Sequence, residues 1–213
     1  FIDSFEKSRF KLHLLYLLLV DLVYIHARDV AHLDLTPRNI LCSFRGGRAS
    51  VRLIDFGSAR VTAEIGGEPL LMGTRSMFPL TQSYAAPEMI QAAISGAGAG
   101  ACADAAKLTS AVDVYVFGMI ALQLLKEIEP ALLVAMGAPL KLKHLRAVEG
   151  VPAELSSLIV SCVEYDPEDR PTAAALCTAF ARALGIDDSS SADGMGIPAC
   201  AARLLGAEVR CFN

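Results

Sequence analysis

A short polar stretch, His32 to Asn39, lies between a helix pattern and a strand pattern and constrains the fold more than any other feature. It holds a carboxylate (Asp34), a cation (Arg38) and a carboxamide (Asn39) within eight residues. Core elements on both sides would fix such a loop at its two ends, which is the usual way in which a protein displays reactive side chains. We therefore expect a functional loop that is held between a helix and a strand.

The helix pattern extends over Phe10–Ala27, where apolar residues recur at helical spacing. Its densest run, Leu14–Val20, is apolar at almost every position, which predicts a helix that is buried on most sides. Asp21 stops that run well short of the roughly 18–20 residues that a membrane span needs, so we expect no membrane partner. Residues 1–9 are mixed in character and are interpreted as the end of a preceding helix.

Two short strand patterns come next, Ile40–Cys42 and Val51–Ile54. The stretch Arg45–Arg48 between them contains two glycines, which tolerate the positive φ of a tight turn. These features predict a small β-hairpin. The sequence Asp-Phe-Gly follows the second strand, so its carboxylate, Asp55, and the amide of Asn39 should lie at neighbouring ends of the hairpin and converge on one point.

The remaining chain is predicted to be mostly helical. Residues 58–84 show no sustained period and are interpreted as a long loop, which in a compact domain is usually functional. The Ala/Gly-rich residues 92–106 are interpreted as a low-complexity insertion, because no Lys follows at the place that a phosphate loop requires. Three further helices are predicted, the last of them capped by Thr172: Asp113–Lys126, Pro152–Val163 and Ala173–Leu184.

Composition excludes several classes of function. A net charge of -4 and a pI near 5.6 offer no basic surface for nucleic acid. The six cysteines are scattered without C-x-x-C spacing, so we expect neither a zinc site nor a disulfide framework but reduced thiols. No signal peptide is visible, and we expect a cytoplasmic protein, with nuclear residence equally compatible. The chain begins with Phe1 rather than Met, which suggests a part of a longer protein.

Several motifs in order resemble the protein kinase family. They are Tyr-Ile-His at 24–26, H-x-D-L-x-x-x-N at 32–39, D-F-G at 55–57, A-P-E at 86–88, D-V-x-x-F-G at 113–118 and D-P-x-x-R-P-T at 166–172. The resemblance covers about Phe10 to Leu184 and implies the C-terminal lobe, a fold that is mainly α with a small β-hairpin. Residues 1–184 are then a partial kinase domain, and residues 185–213 a flexible tail in which Ala199–Leu205 has a short helix pattern.

The resemblance also implies roles for the polar residues. Asp34 would accept or orient the proton of the substrate hydroxyl, and Asn39 and Asp55 would bind Mg²⁺. Leu41 stands where the family contacts the adenine ring of ATP, although ordinary core packing is an equally open interpretation. Thr36 replaces the Lys that is typical of serine/threonine kinases, and the resemblance makes Arg38 the candidate substitute for that cation.

Other matched positions imply structural or regulatory roles. His32 and Phe56 would pack together beneath the site, with Gly57 completing the Asp-Phe-Gly turn, so His32 is interpreted as structural rather than as a general base. Glu88 and Arg170 would form a buried ion pair. Two further residues complete the set: Asp113 would accept hydrogen bonds from the backbone of the catalytic loop, and Thr81 favours the serine/threonine type.

Besides Thr36, two further departures from the family pattern bear on activity. Leu33 replaces the Arg that normally pairs with a phosphorylated activation segment, and Leu cannot make that contact, so we expect activity that does not depend on this switch. Upstream of Asp34 there is neither a G-x-G-x-x-G-x-V loop nor a V-A-x-K lysine, so we expect the N-terminal β lobe to be missing from this chain.

Two functions from different classes follow. The first is a protein kinase that transfers the γ-phosphate of ATP to a Ser or Thr hydroxyl of a protein substrate, with ATP and Mg²⁺ as cofactors and with regulatory protein partners. The chain would then be a fragment that is not efficient without its other lobe. The alternative is a pseudokinase-like module that binds proteins with little or no catalysis. A small helical domain with chance matches is the weakest interpretation, because several motifs occur in order at family-like spacing.

Overall fold

A computed structural model gives the fold of the chain. The residues that it describes are 4–45, 48–62, 64–65, 68–69, 84–95, 108–127 and 149–186. The predicted Thr81, most of the Ala/Gly-rich stretch and the tail beyond residue 186, with its helix pattern at 199–205, lie outside the described residues.

The first helix, α1, is longer than its pattern indicates. It extends over Ser4–His26, so residues 4–9, which were interpreted as part of the end of a preceding helix, belong to α1 itself. No Pro or Gly lies in this range, and nothing therefore ends the helix before Phe10. The predicted burial on most sides is confirmed: Leu15, Leu19 and Leu22 are each at most 2% exposed.

The predicted hairpin is present with longer strands. Strand β2 is Ile40–Arg45 and strand β3 is Arg48–Leu53, paired antiparallel with Ile40 opposite Leu53. The amide of Ile54 donates to the carbonyl of Asn39 at 3.0 Å, which closes the open end of the hairpin. Asn39 and Asp55 thus leave the hairpin at the same end, as predicted.

Short strands replace part of the predicted loop between residues 58 and 84. Strand β1, Val30–Ala31, pairs antiparallel with strand β4, Arg60–Val61. Glu64–Ile65 (β5) pairs with Glu68–Pro69 (β6). The prediction of a continuous loop was wrong for residues 60–61, 64–65 and 68–69. A strand of two residues is too short to produce a periodic pattern in the sequence. Residues 70–83 lie outside the part of the chain that the structure describes.

Four more helices complete the described fold. Their bounds are Pro87–Ser95 (α2), Ala111–Lys126 (α3), Ala153–Ser161 (α4) and Ala173–Leu184 (α5). Residues 92–95 therefore end helix α2 and do not belong to the Ala/Gly-rich insertion. Helix α5 has the predicted bounds, and the Thr172 hydroxyl accepts a hydrogen bond from the amide of Ala175 at 3.1 Å, which confirms the predicted cap.

Helix α3 lies at the centre of the core. It contacts α1 and α4, and α5 packs along α1. Phe117 of α3 and Phe180 of α5 are fully buried and meet edge to face, with 5.9 Å between ring centroids. In the described residues, no helix is both long enough and apolar enough to cross a membrane.

Gly118 allows α3 and the end of α4 to approach closely. A Cβ atom at this position would lie 2.5 Å from the Cβ of Cys162 and 2.9 Å from a methyl of Val163. We expect Gly118→Ala to lower the free energy of unfolding by about 1–3 kcal/mol, because a packed core resists an added methyl. Urea denaturation measures the loss. Adding Val163→Ala should make the double variant less unstable than the sum of the two losses. An unchanged urea midpoint for Gly118→Ala would contradict the close contact.

Candidate active site

Asp113 anchors the start of the polar stretch through hydrogen bonds to its backbone. Its carboxylate is fully buried at the start of α3. It accepts hydrogen bonds from the backbone amides of His32, at 2.7 Å, and Leu33, at 2.9 Å. His26 Nε2, at the end of α1, lies 2.9 Å from the same carboxylate. The predicted contact between Asp113 and this loop is present, and the two amides and the imidazole compensate the buried charge.

Asn39 holds Asp34 in place. The Asn39 side-chain amide donates to the Asp34 carbonyl at 2.7 Å and to the Asp34 carboxylate at 3.1 Å. A 3₁₀ turn, Pro37–Asn39, brings Asn39 back to this position, and the Asn39 amide donates to the carbonyl of Thr36 at 2.9 Å. Because the amide nitrogen of Asn39 points at Asp34, its Oδ1 atom is the one that could bind a cation.

Asp34 lies close enough to Asp55 for the charge of Asp55 to affect its pKa. Burial raises the pKa of the Asp34 carboxyl most, and the nearby negative charge of Asp55 raises it further. The Asn39 hydrogen bond and His32 act in the opposite direction on this pKa. Asn39 is therefore hydrogen-bonded to Asp34, and the predicted convergence of Asn39 and Asp55 on one point stays a prediction.

Asp55 has an unusual backbone conformation and an exposed side chain. Asp55 has φ 63° and ψ 74°, a left-handed conformation, and begins a second 3₁₀ turn, Phe56–Ser58. The amide of Gly57 donates to Asp55 Oδ1 at 3.2 Å. A Cβ atom on Gly57 would come within 3.0 Å of that oxygen, so a larger residue would crowd the carboxylate. Gly57 thus lets Asp55 accept this bond while its side chain stays exposed.

His32 and Phe56 pack together as predicted, with 4.8 Å between ring centroids. His32 Nε2 lies 3.1 Å from the carbonyl of Ile54, to which it donates, and Nδ1 accepts from the amide of Asp34 at 3.4 Å. Both ring nitrogens are therefore used in the fold, and the ring is fully buried. This supports the interpretation of His32 as structural.

Leu41 is not a core residue. It is 57% exposed, so it does not belong to the core that the described residues form. It alternates with Ile40 and Cys42 along β2 and lies opposite Arg52 on β3. The strand period of two places Leu41 on the opposite face of the hairpin from its neighbours. An apolar side chain that is exposed here agrees with a role in contacting a ligand.

Thr36 and Arg38 differ in access. Thr36 is 6% exposed, whereas Arg38 is exposed on the 3₁₀ turn. A phosphate group outside the protein could therefore reach Arg38 more readily than Thr36. This difference agrees with the expectation that Arg38, and not residue 36, supplies the positive charge of the loop.

The predicted ion pair between Glu88 and Arg170 is present. The guanidinium, whose side chain is fully buried, lies 2.6 Å and 2.9 Å from the two carboxylate oxygens. It also donates to the carbonyls of Ala111, Glu164 and Tyr165. This bidentate pair links the first turn of α2 to the segment before α5.

Some contacts of the site were missed by sequence reasoning. The Tyr84 hydroxyl hydrogen-bonds to Gln123 of α3, at the described end of the segment before α2. Asp21 of α1 accepts from the amide of Leu53 at 3.0 Å and from Arg52 at 3.2 Å, which joins the hairpin to α1. The contacts of Asp21 could have been expected from the sequence, because a lone carboxylate inside an apolar run needs hydrogen-bond partners if it is buried.

A comparison with protein family profiles decides the classification. The profile described as the protein kinase domain matches residues 3–180. The chain belongs to the protein kinase domain family. Its mostly helical structure with small sheets is that of a protein kinase domain in the part described.

Curated relatives of this kinase domain agree with that placement. The serine/threonine-protein kinase PkaA of Streptomyces coelicolor is 33% identical over 189 residues, which cover 86% of this chain and 30% of the relative. A probable serine/threonine-protein kinase of Dictyostelium discoideum is 29% identical over 154 residues, covering 70% of this chain and 22% of the relative. The chain thus spans less than a third of the length of either relative.

An apolar cavity of about 530 Å³ lies beside the Pro37–Asn39 turn of the kinase domain, with Pro37 and Ile40 in its lining. It lies between α1, the hairpin and α3, and neither Asp34 nor Asp55 lines it. Lys11 and Glu127 stand at its edge, 2.9 Å apart. The candidate active site is therefore defined by its polar groups and not by this cavity.

Proposed function

We propose that this chain is the C-terminal lobe of a protein kinase domain that transfers the γ-phosphate of ATP to a Ser or Thr hydroxyl of a protein. The observation that carries the proposal is the hydrogen bond from the Asn39 amide to the Asp34 carboxylate, with Asp55 near enough to raise the pKa of that carboxyl. Phosphoryl transfer requires positioned groups and charge neutralisation rather than covalent chemistry from the protein.

Asp34 accepts or orients the proton of the substrate hydroxyl in this proposal. Asn39 fixes the Asp34 carboxylate by the 3.1 Å hydrogen bond, and its Oδ1 atom together with Asp55 would hold Mg²⁺. Hard cations of this kind prefer carboxylate and amide oxygens, so the donor set fits. Bound Mg²⁺ would neutralise charge on the ATP phosphates. In the described residues no three His, Cys, Asp or Glu side chains are grouped to hold a metal, so phosphate oxygens and water would complete its ligands.

Arg38 supplies the cation that Thr36 cannot. Its exposed guanidinium lies on the turn that ends at Asn39, so it can pair with a phosphate on the open side of the loop. Two curated relatives are serine/threonine kinases by name, which supports the Ser/Thr type. Thr81, outside the described residues, supports the same type on sequence grounds.

The lobe assignment rests on sequence and exposure together. Upstream of Asp34 the chain carries no Gly-rich loop and no V-A-x-K lysine. Leu41 is 57% exposed where an adenine ring would be contacted. We propose residues 1–184 as the C-terminal lobe and residues 185–213 as a tail. A second, β-rich lobe supplied elsewhere would complete the ATP site, a protein would be the substrate, and regulatory proteins would be partners. The proposed compartment is the cytoplasm, with the nucleus equally compatible.

A second candidate function is a pseudokinase-like interaction module. The observation that favours it is the replacement of two cations by buried residues, since Leu33 is 3% and Thr36 is 6% exposed. Such a protein would keep the helical fold and bind partner proteins without transferring phosphate.

A thermal-shift titration of the 213-residue chain with ATP and Mg²⁺ tests the site. At ten times the Kd, binding should stabilise the fold by about 1.4 kcal/mol, which corresponds to a rise in Tm of about 3–6 °C. Asp55→Asn should abolish the part of this rise that depends on Mg²⁺, because it removes a ligand charge. The matched control is Asp29→Asn, since Asp29 is exposed, has a positive φ that Asn tolerates, and makes its hydrogen bonds with His26 and Thr62 through its backbone.

The outcomes separate the two functions. An Mg²⁺-dependent rise that is lost in Asp55→Asn and kept in Asp29→Asn supports a metal–nucleotide site. If the rise is absent, the titration is repeated on protein that includes the upstream lobe. A rise that appears only then supports the kinase proposal and shows that the site needs both lobes. No rise in either protein contradicts the kinase proposal and favours the interaction module.

A further inference from the structure

The last residue of strand β3 is bonded to a side chain of helix α1. The Leu53 amide donates to Asp21 Oδ2 at 3.0 Å, whereas the next amide, that of Ile54, donates to the carbonyl of Asn39 on the other edge of the strand. In the described residues β3 pairs with no strand other than β2. Asp21 therefore supplies the acceptor that a third strand would supply at this position.

The Asp21 carboxylate is compensated where it lies. Its side chain is 12% exposed, and its Oδ1 atom lies 3.2 Å from Arg52 Nη1, so each oxygen has its own donor. Burial raises the pKa of this carboxyl, and the Leu53 amide and the Arg52 guanidinium lower it. The two donors thus stabilise a charge that the apolar residues around it in α1 would otherwise disfavour.

Asp55 lies two residues beyond the bond from Leu53 to Asp21. Its backbone is left-handed, with φ 63°, and a non-glycine residue keeps such a conformation only where the surrounding structure fixes the chain. Ile54, directly before it, is held by the loop through both its amide and its carbonyl. The loop therefore fixes one of the two residues before Asp55, and α1 fixes the other.

We infer that Asp21 is a positioning residue for the metal ligand Asp55. By accepting from the Leu53 amide, it holds the end of β3 against α1 and so sets the place from which the Asp55 carboxylate projects. This inference rests on the proposed function, in which Asp55 binds Mg²⁺. The acceptor oxygen of Asp21 carries the role rather than its charge, because the bond that holds the strand is donated by a neutral amide.

Two substitutions of Asp21 separate the acceptor from the charge. Asparagine keeps an oxygen that can accept from the Leu53 amide, so Asp21→Asn should preserve the end of β3. Leucine suits the apolar surroundings in α1 but offers no acceptor, so Asp21→Leu leaves that buried amide unsatisfied. Gly118→Ala is the matched control for a general loss of stability, because its closest contacts are with Cys162 and Val163 and not with the hairpin.

The affinity for ATP with and without Mg²⁺ gives a readout specific to positioning. Isothermal titration calorimetry measures both Kd values on protein that includes the second lobe proposed above, and their ratio reports the part of binding that depends on the metal. Asp21→Leu should lower this ratio more than fivefold, because Asp55 is no longer held in place. Asp21→Asn and Gly118→Ala should each change the ratio less than twofold, since both keep the bond from Leu53.

Hydrogen exchange on the 213-residue chain tests the bond itself without any nucleotide. The amides of Leu53 and Ile54 should exchange more than tenfold faster in Asp21→Leu and stay within threefold of the parent in Asp21→Asn. Amides of helix α5 report global unfolding, so that a general loss of stability is recognised. If Asp21→Leu does not fold, Asp21→Ala is measured in its place, and Asp21→Asn can overturn the inference by itself.

Three results would overturn the inference. A folded Asp21→Leu chain with the exchange rates of the parent would show that the bond is unnecessary. An equally large effect in Asp21→Asn would assign the role to the charge, and a ratio lowered equally by Gly118→Ala would assign it to general stability. A parent protein whose affinity for ATP does not depend on Mg²⁺ contradicts the proposed function instead. Hydrogen exchange would then still decide whether Asp21 fixes the end of β3.

Discussion

Replacing Arg170 by methionine should lower the free energy of unfolding by about 3–5 kcal/mol, one of the two largest effects that we expect. The Arg170 side chain is fully buried and lies within 2.9 Å of both Glu88 oxygens. Removing the guanidinium leaves the Glu88 carboxylate, which is mostly buried, without its counter-charge. Methionine fills much of the space, so the loss comes from the charge and not from a cavity.

The size of this effect also reflects the carbonyls that Arg170 satisfies. Its guanidinium donates to Ala111 beside α3 and to Glu164 and Tyr165 before α5. A buried acceptor that loses its donor costs free energy in addition to the ion pair. Arg170 thus connects three parts of the core that are distant in sequence, and we expect its loss to destabilise the whole described fold.

Urea denaturation of matched variants checks this expectation. Arg182→Met is the control, because Arg182 belongs to α5 and is exposed, and it should change the free energy of unfolding by less than about 0.5 kcal/mol. The double variant Glu88→Leu with Arg170→Met should be more stable than Arg170→Met, since no unpaired charge remains. A loss in Arg170→Met that equals the loss in Arg182→Met would show that the pair contributes little.

The sequence predicted the elements whose signals are local. Helix α5 has an N-cap residue, an apolar stripe and a following Gly185 with positive φ, and its bounds were predicted correctly. The hairpin was predicted from two apolar runs and a glycine turn, and only its length differed. Helix α1 was predicted too short because its first turns, Ser4–Arg9, carry polar residues that do not show the apolar period.

The missed features depend on contacts between distant residues. Strands β1 and β4 are two residues each and exist only because Val30 lies opposite Val61. The hydrogen bond of Tyr84 to Gln123 and that of His26 to Asp113 join positions with no shared local pattern. Such contacts follow from packing, which a single sequence does not display.

Several contacts around the candidate site were predicted from the family resemblance, among them the Glu88–Arg170 pair and the hydrogen bonds of Asp113 to the loop. The pattern of two strands and a turn predicted that Asn39 and Asp55 leave the hairpin at the same end, and the structure places them there. The exposure of Leu41 and the positive φ of Leu33 were not predicted. Apolar residues are expected inside by default, and only the described backbone shows which of the two lies in the core.

The other largest effect should follow from Asp34→Asn, which we expect to lower kcat by about 10²–10⁴-fold in protein that includes the second lobe proposed above. Asparagine keeps the shape of Asp34 but cannot accept the hydroxyl proton. Asp29→Asn is the matched control, since it removes the same charge from an exposed position near the loop and should leave kcat unchanged. Circular dichroism and Tm establish that both variants fold. An Asp34→Asn enzyme with more than half of the parent kcat would contradict the role of Asp34.

The pH dependence of kcat tests the same role through the environment of Asp34. Burial first, and the charge of Asp55 next, raise the pKa of the Asp34 carboxyl. The group acts when it is deprotonated, so activity is present above this pKa and is lost as pH falls through it. The acid limb of the profile should therefore lie at higher pH than about 3.9, the value of an unperturbed aspartate. The residual activity of Asp34→Asn should not show this limb. An acid limb at the same pH in both proteins would assign the titration to another group and would remove the pH evidence for Asp34 as the proton acceptor.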